Sequence, residues 1–226
     1  MISYNIKVVL NPIEDIYYEN TYEYLSNLIA FAMSKDIELR NLHEQNTYKL
    51  YSFCSLYPYQ KDGIYKAGNI FQFDIRTIDF KFAIKIKQLF SDVQTKHFKV
   101  IMTNIQTNEQ RKINKLITLT PSIITTTEKG YKIDDDLELI KKRIIAGAEK
   151  KYKKIFDKEI SHDFIKSINK INIKPIKIPY KSISFLANKF EIYINQDEIS
   201  QNLAYILFST GVLEKNSLGF GFCRAN

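Results

Sequence analysis

The chain has 226 residues, 45% of them hydrophobic, and 33 lysines and arginines against 25 aspartates and glutamates, a formal net charge of +8. That length allows one large domain or two small ones, and the charge favours a polyanionic partner. No run approaches the roughly twenty apolar residues of a membrane span; Asn5 and Lys7 interrupt any signal-peptide core, and Cys54 and Cys223 make no metal spacing, so reduced, buried thiols in a cytoplasmic protein are expected.

Ile2, Tyr4, Ile6 and Val8 alternate with Ser3, Asn5 and Lys7, which predicts a strand over 1–9, broken at Asn11-Pro12. Leu25, Leu28, Ile29 and Ala32 have helical spacing and predict a helix over 20–35. Strand character returns over 49–56, a loop starts at Tyr57-Pro58-Tyr59, and Gly68 precedes a strand over 69–76. Asp79 reads as an N-cap for a helix with Phe82, Ile86 and Leu89 on one face, and 97–105 is again strand-like. The order β-α-β-β-α-β is ferredoxin-like.

A polar stretch over 107–112 marks a boundary, dividing the chain into domains 1–110 and 111–226. A β-branched strand is expected over 115–125. Asp134-Asp135-Asp136 reads as the cap, not a metal site, of a helix carrying Leu137, Ile140, Ile144, Ala148, Tyr152 and Ile155. Its acidic start and lysine-rich end complement the helix dipole. Ile171, Ile173, Ile176 and Ile178 predict a strand with a bulge or edge position at Lys174-Pro175. Phe190, Ile192 and Ile194 predict the next strand. Asn195 with Glu198 suggests a capping pair for a helix burying Ile199, Leu203, Ile206 and Leu207 and ending at Gly211. A strand at Gly219 closes a second β-α-β-β-α-β unit, so the expected class is α+β, two tandem ferredoxin-like domains.

Three of only seven glycines, Gly211, Gly219 and Gly221, fall in the last sixteen residues. Between them Glu214, Lys215, Asn216 and Ser217 form a polar loop whose backbone N–H groups suit a phosphate; a helix cap followed by an edge strand with packing glycines is the plainer reading. Lys170, Lys174 and Lys177 are candidates for gripping the phosphate backbone of a polyanion. Lys141, Lys142, Arg143, Lys150, Lys151, Lys153 and Lys154 on the long helix read as a solvated face. Of three histidines, His97 and His162 read as structural, since the neighbours of His162 in Ser161-His-Asp do not face one another on one element.

The C-terminal pattern resembles the glycine-rich signature of the CRISPR-associated repeat-cleaving endoribonucleases, the sixth Cas family of the repeat-associated mystery protein superfamily. That signature runs G-x-G, five residues, then G-aromatic-G. Gly211, Gly219, Phe220 and Gly221 match it, and Leu213 stands at the second glycine. The resemblance implies a catalytic histidine after the first helix and a lysine six residues on, which are His43 and Lys49 here. Some members add a tyrosine from the first helix; that position is Leu28, with Tyr22 and Tyr24 one to two turns away and Tyr48 and Tyr51 as further candidates. It also implies a metal-independent, cofactor-free endoribonuclease acting on CRISPR repeat RNA, with other CRISPR-associated effector subunits as further partners. Gly211, Lys215, Asn216, Ser217, Gly219 and Gly221 would touch that RNA. Two rival readings are a non-catalytic RNA-binding subunit of an effector complex and an unrelated ferredoxin-like protein for a small ligand.

Overall fold

A computed structural model of the protein describes residues 1–45, 47–125 and 136–226. In chain order the first half contains β1 (Ile2–Pro12), β2 (Ile16–Tyr17), α1 (Thr21–Met33), α2 (Ile37–Glu44), β3 (Tyr51–Phe53), β4 (Ile64–Tyr65), β5 (Phe71–Thr77), α3 (Phe80–Leu89) and β6 (Phe98–Glu109). The second half contains β7 (Lys115–Thr118), α4 (Leu137–Phe156), β8 (Ile165–Lys170), β9 (Ile176–Tyr180), β10 (Ile183–Ala187), β11 (Phe190–Ile194), α5 (Glu198–Thr210) and β12 (Cys223–Ala225). Two antiparallel four-stranded sheets result, ordered β3-β5-β1-β6 and β12-β7-β11-β8. Within each, the fourth strand lies beside the first, and the third strand lies between the first and the second. This is the ferredoxin-like order in both halves.

The alternation of β1 sends Ile6, Val8 and Leu10 into a core shared with Leu25, Ile29, Phe82 and Ile86 of the helices. Its opposite face is covered only in part. Ser3 and Asn5 are buried there, and the Tyr205 hydroxyl of α5 donates to the Asn108 carbonyl and lies 3.1 Å from Ser3 Oγ. The first sheet is therefore covered by its own helices on one face and, on the other, by α5 over β3, β5 and the start of β1. Arg76 of β5 fixes that second contact. Its Nη1 donates to the carbonyls of Phe208 and Cys223 at 2.9 and 2.8 Å, and its guanidinium lies between the Phe208 and Phe222 rings at 3.9 and 4.3 Å. Phe222, from the end of the chain, belongs to the core of the first half.

Several sequence expectations need correction. A second helix, α2, follows α1; the Asp36 carboxylate caps it by accepting from Leu39 N at 3.0 Å. The strand expected at Ile171 to Ile178 forms only from Ile176 onward, as β9, while β8 before it and β10 after it were not expected. Ile171 and Ile173 lie exposed in the connection after β8, while Ile176 and Ile178 belong to the β9–β10 hairpin. The strand expected over 115–125 ends at Thr118, beyond which Ser122 and Ile123 make isolated bridges. Asp197, not Asn195, caps α5 by accepting from Ser200 N at 2.9 Å, and Ile199 is exposed. Gly219 and Gly221 have φ of +93° and +71° and shape turns; the last strand begins only at Cys223. Asp79 caps α3 as expected, and Asp136 caps α4, while Asp134 and Asp135 lie outside the described residues. Both cysteines are free and buried.

Candidate nucleic-acid interface and active site

A cleft of about 420 Å³ joins the two halves of the chain. One wall is Gln45, Thr47, Tyr48 and Lys49, between α2 and β3; the other is residues 213–218, the loop after α5. His43 stands at the edge of the first wall, in the last turn of α2, exposed at the surface. Lys49 Nζ donates to the His43 carbonyl at 2.7 Å, satisfying one of the carbonyls that a helix end leaves open. The lysine thus anchors the helix turn that carries the histidine.

The charges around this wall are mostly of one sign. Partial burial and then the Lys49 ammonium hold the His43 pKa below its usual value, Glu44 works against them, and Lys181 adds to the depression. Lys49 is lowered too, by partial burial and then by Lys215 across the cleft. Lys181 is the tip of the β9–β10 hairpin, at φ +52°, and its N–H donates to Glu23 Oε2 of α1 at 2.6 Å. Four cationic or titratable side chains from three separate segments therefore converge. An anionic phosphate would relieve their mutual repulsion.

The second wall is built for shape. Asn216 is buried: its Nδ2 donates to the carbonyls of Val212 and Phe220, both at 3.0 Å, and its Oδ1 accepts from Lys151 Nζ at 2.8 Å. Its side-chain amide is therefore engaged within the loop. Gly221 leaves no room for a side chain, since a Cβ there would lie 2.0 Å from the Val212 carbonyl oxygen. At Gly219 a Cβ would lie 2.7 Å from the Phe53 ring of β3. Phe220, between them, stacks on Tyr22 of α1 at 5.4 Å and meets Phe185 of β10 edge-on at 5.2 Å. Gly211 ends α5, its N–H donating to the Leu207 carbonyl. The glycines serve close packing between loop, hairpin and first domain. Lys215 and Ser217 remain on the cleft lining.

Leu213 occupies the left-handed region, at φ +61°, although it is not glycine. It is buried, at 3% exposure, among the apolar residues of the second half. The backbone shape that the missing glycine would provide is therefore retained.

Residues 103–225 match the family described as CRISPR associated protein Cas6, C-terminal. The chain belongs to that Cas6 family. The curated CRISPR-associated endoribonuclease Cas6 2 of Methanocaldococcus jannaschii is 22% identical over 238 residues, covering 96% of this chain and 97% of the relative. Solved structures of the same fold include one described as CRISPR associated protein Cas6, at 20% identity and TM-score 0.76 over 99% of both chains. A second, described as an RAMP protein binding different RNA substrates, has 18% identity and TM-score 0.77, again over 99% of both. A third, described as a Cas6-related gene from Pyrococcus furiosus, has 18% identity and TM-score 0.72, over 99% of this chain and 98% of the other.

On this Cas6 fold the sequence-derived candidates separate into groups. Lys49, Lys215, Asn216 and Ser217 line the cleft, and His43 borders it. Lys170, Lys174 and Lys177 are not on its lining; Lys177 alternates away from the hairpin face that carries Ile178 and Tyr180. Lys181, at the tip of that hairpin, approaches His43 instead. Among the tyrosines considered, Tyr48 is on the lining and exposed. Tyr22 is buried against Phe220, Tyr24 stacks on His97 at 3.7 Å, and Tyr51 is buried against Phe82. Leu28 is buried at 1% exposure. His97 also meets Glu14 Oε1 at 2.5 Å. His162 Nε2 meets Ser200 Oγ and Asp197 Oδ1 at 3.0 and 3.1 Å, but Ser200 is fully buried and its hydroxyl donates to Asp197. That trio ties the start of α5 to the segment before β8 and is not a relay to a nucleophile.

The solvated face expected for α4 needs correction at Lys151, which is fully buried, and Lys154 on that face was not read as a site residue. Lys154 Nζ donates to the Tyr48 carbonyl at 2.6 Å and to Thr47 Oγ1 at 3.2 Å. Lys151 is fully buried and donates to the Gly211 carbonyl at 2.6 Å, to Asn216 Oδ1 and, at 3.4 Å, to the Thr210 carbonyl. Burial pulls its pKa down to about 7, with the neighbouring Cys223 pushing the other way. A signal existed: Ile140, Ile144, Ala148 and Lys151 share the buried stripe, and a lysine on such a stripe calls for acceptors. Among the described residues no cluster of three or more His, Cys, Asp or Glu has metal-holding geometry, and no helix is long and apolar enough to cross a membrane.

Proposed function

We propose that this chain is an endoribonuclease that binds and cleaves CRISPR precursor RNA within its repeats, without a metal ion. The support is its place in the Cas6 family, its kinship along nearly the whole chain with a curated Cas6 endoribonuclease, and a cleft lined by Lys49 and Lys215, with Lys49 bonded to the His43 carbonyl. The observation that carries the chemistry is geometric: Lys49 bonds the His43 carbonyl at 2.7 Å and shares the cleft lining with Lys215. RNA brings its own nucleophile, the 2′-hydroxyl. A neutral imidazole at His43 can take its proton as the oxygen attacks phosphorus. The same ring, once protonated, can return a proton to the 5′-oxygen, leaving a 2′,3′-cyclic phosphate. Lys49, with Lys215 opposite, places positive charge where the phosphoryl oxygens gain negative charge. Ser217 and Tyr48 line the path of the strand. Residues 1–110 and 111–226 would each contribute one wall.

The test is cleavage of a repeat RNA by the purified chain in EDTA, with the product end identified by mass. Full activity with a cyclic phosphate end supports the reading, whereas activity lost in EDTA and restored by a divalent ion sinks the metal-independent step. One observation favours a second reading, a non-catalytic RNA-binding subunit: buried Leu28 stands where some relatives carry a tyrosine. Tight binding without cleavage under any condition would select it.

A further inference from the structure

The two cleft walls come from segments far apart in sequence, yet both are held by one helix. Lys151 and Lys154 lie three residues apart on α4 and so project from neighbouring positions on its surface. Lys151 reaches inward to the Gly211 carbonyl and Asn216 Oδ1. Lys154 reaches sideways to the Tyr48 carbonyl and Thr47 Oγ1. An ammonium has three donors and no acceptor, and the surroundings of Lys151 offer it three oxygens: two carbonyls at the end of α5, where the helix dipole is negative, and Asn216 Oδ1 of the following loop. Its bonds hold both the end of α5 and the side chain that closes the glycine-rich loop. α4 is itself packed against α5 and β8 and is buried along Ile140, Ile144 and Ala148, so it is a rigid base for both reaches.

We propose that α4 is the brace that sets the width of the cleft, with Lys151 fixing the glycine-rich wall and Lys154 fixing the Thr47–Tyr48 wall. Both are then positioning residues for RNA cleavage, acting through Lys215 and Ser217 on one side and Lys49 and His43 on the other. The proposal rests on the cleavage reading above and adds to it residues that are not on the cleft lining.

The experiment compares wild type, Lys154→Ala, Lys154→Arg, Lys151→Met and the Lys151→Met/Lys154→Ala double variant. Two quantities are read: repeat-RNA binding with the single-turnover rate at saturating RNA, and amide hydrogen exchange without RNA. Lys154→Ala is expected to slow the saturated rate about tenfold or more, within the about 10²-fold that a misplacement of about 1 Å can cost, while affinity changes less. Lys154→Arg should recover most of the rate. Lys151→Met, which keeps the volume and removes the donors, should speed exchange at residues 211–219 and slow cleavage. The double variant should be slower by less than the product of the two single effects, because both set one distance. Weakened affinity with an unchanged saturated rate for Lys154→Ala would make Lys154 a plain phosphate contact and overturn the proposal. Unchanged exchange in both walls would overturn it as well. If Lys151→Met does not fold, Lys154→Ala decides alone. If wild type does not cleave, the cleavage reading fails, and the exchange comparison still decides whether the brace exists.

Discussion

The two walls of the cleft are made in opposite ways. The wall at the end of α2 is thinly supported: His43 is exposed, α2 buries only Leu39, and one ammonium closes its last turn. The glycine-rich wall is over-determined: Asn216 has its whole amide bonded, Phe220 is fully buried, and Gly221 meets a carbonyl where a side chain would go. A proton-transferring group must titrate and reach the substrate, so it sits where solvent and strand can approach. A surface that places a phosphate need not titrate, so its backbone can be locked. The first wall should therefore respond to substitution in rate, and the second in stability.

The sharpest break of that contrast is at His43. His43→Ala is expected to lower the single-turnover rate by about 10²–10⁴-fold with affinity and melting temperature nearly unchanged, and a single 2′-deoxy substitution at the cut site should stop cleavage of RNA that still binds. A variant that cuts at the normal rate would remove His43 from the chemistry. On the other wall, Gly221→Ala should destabilise by about 3 kcal/mol, because a Cβ 2.0 Å from Val212 O must displace backbone at a φ that L-residues resist. That corresponds to a fall of roughly 6–12 °C in Tm; an unchanged Tm would show that the loop is looser than its hydrogen bonds imply.

The electrostatic part of the contrast is read from salt. Replacing Lys181 and Lys215 together should reduce the slope of log affinity against log salt by about 1.4, at about 0.7 for each single-strand phosphate that is no longer neutralised. Replacing Lys170, Lys174 and Lys177 should change it less, and the reverse result would move the RNA track away from the cleft. Acidity gives a smaller effect. The His43 pKa is depressed, so the neutral ring persists below the ordinary histidine range. The acidic limb of kcat/KM should fall as pH drops through a midpoint below about 6.5. A midpoint above that value would mean that a carboxylate, not burial and the cations, governs the ring.

The smallest change is expected at Leu213→Gly. Relief of left-handed strain contributes about 1–2 kcal/mol, and truncation of a buried leucine costs about 2–5 kcal/mol. The relief offsets part of the loss, so Tm should fall by only a few degrees. A large rise would mean that burial does little there, and a large fall would mean that the strain is slight.

Much of the fold was visible because its elements are long and strictly periodic. The alternation in β1, the helical spacing in α1 and α3 and the cap at Asp79 all report local physics. The failures occur where tertiary context overrides pattern. Ile171 and Ile173 mimic strand alternation yet face solvent in a connection, so the expected strand joined that connection to β9 and left β8 and β10 unread. α2 is short and buries a single leucine, so periodicity could not reveal it, although Asp36 was available as a cap. His43 and Lys49 were legible only through resemblance to a family. Lys181, Lys154 and Lys151 were not legible as site residues, because nothing local in a lysine says which distant backbone it will meet.

The first half needs an aromatic ring from the far end of the chain, Phe222, to close its core, and Arg76 Nη1 finds its acceptors on Phe208 and Cys223. During synthesis, a nascent chain that has emerged only as far as β6 therefore presents an open seat and an unpaired guanidinium on its exposed sheet. Folding of the first half stays provisional until α5 and the last strand leave the ribosome, and the cleft between the halves comes into being in that same late event.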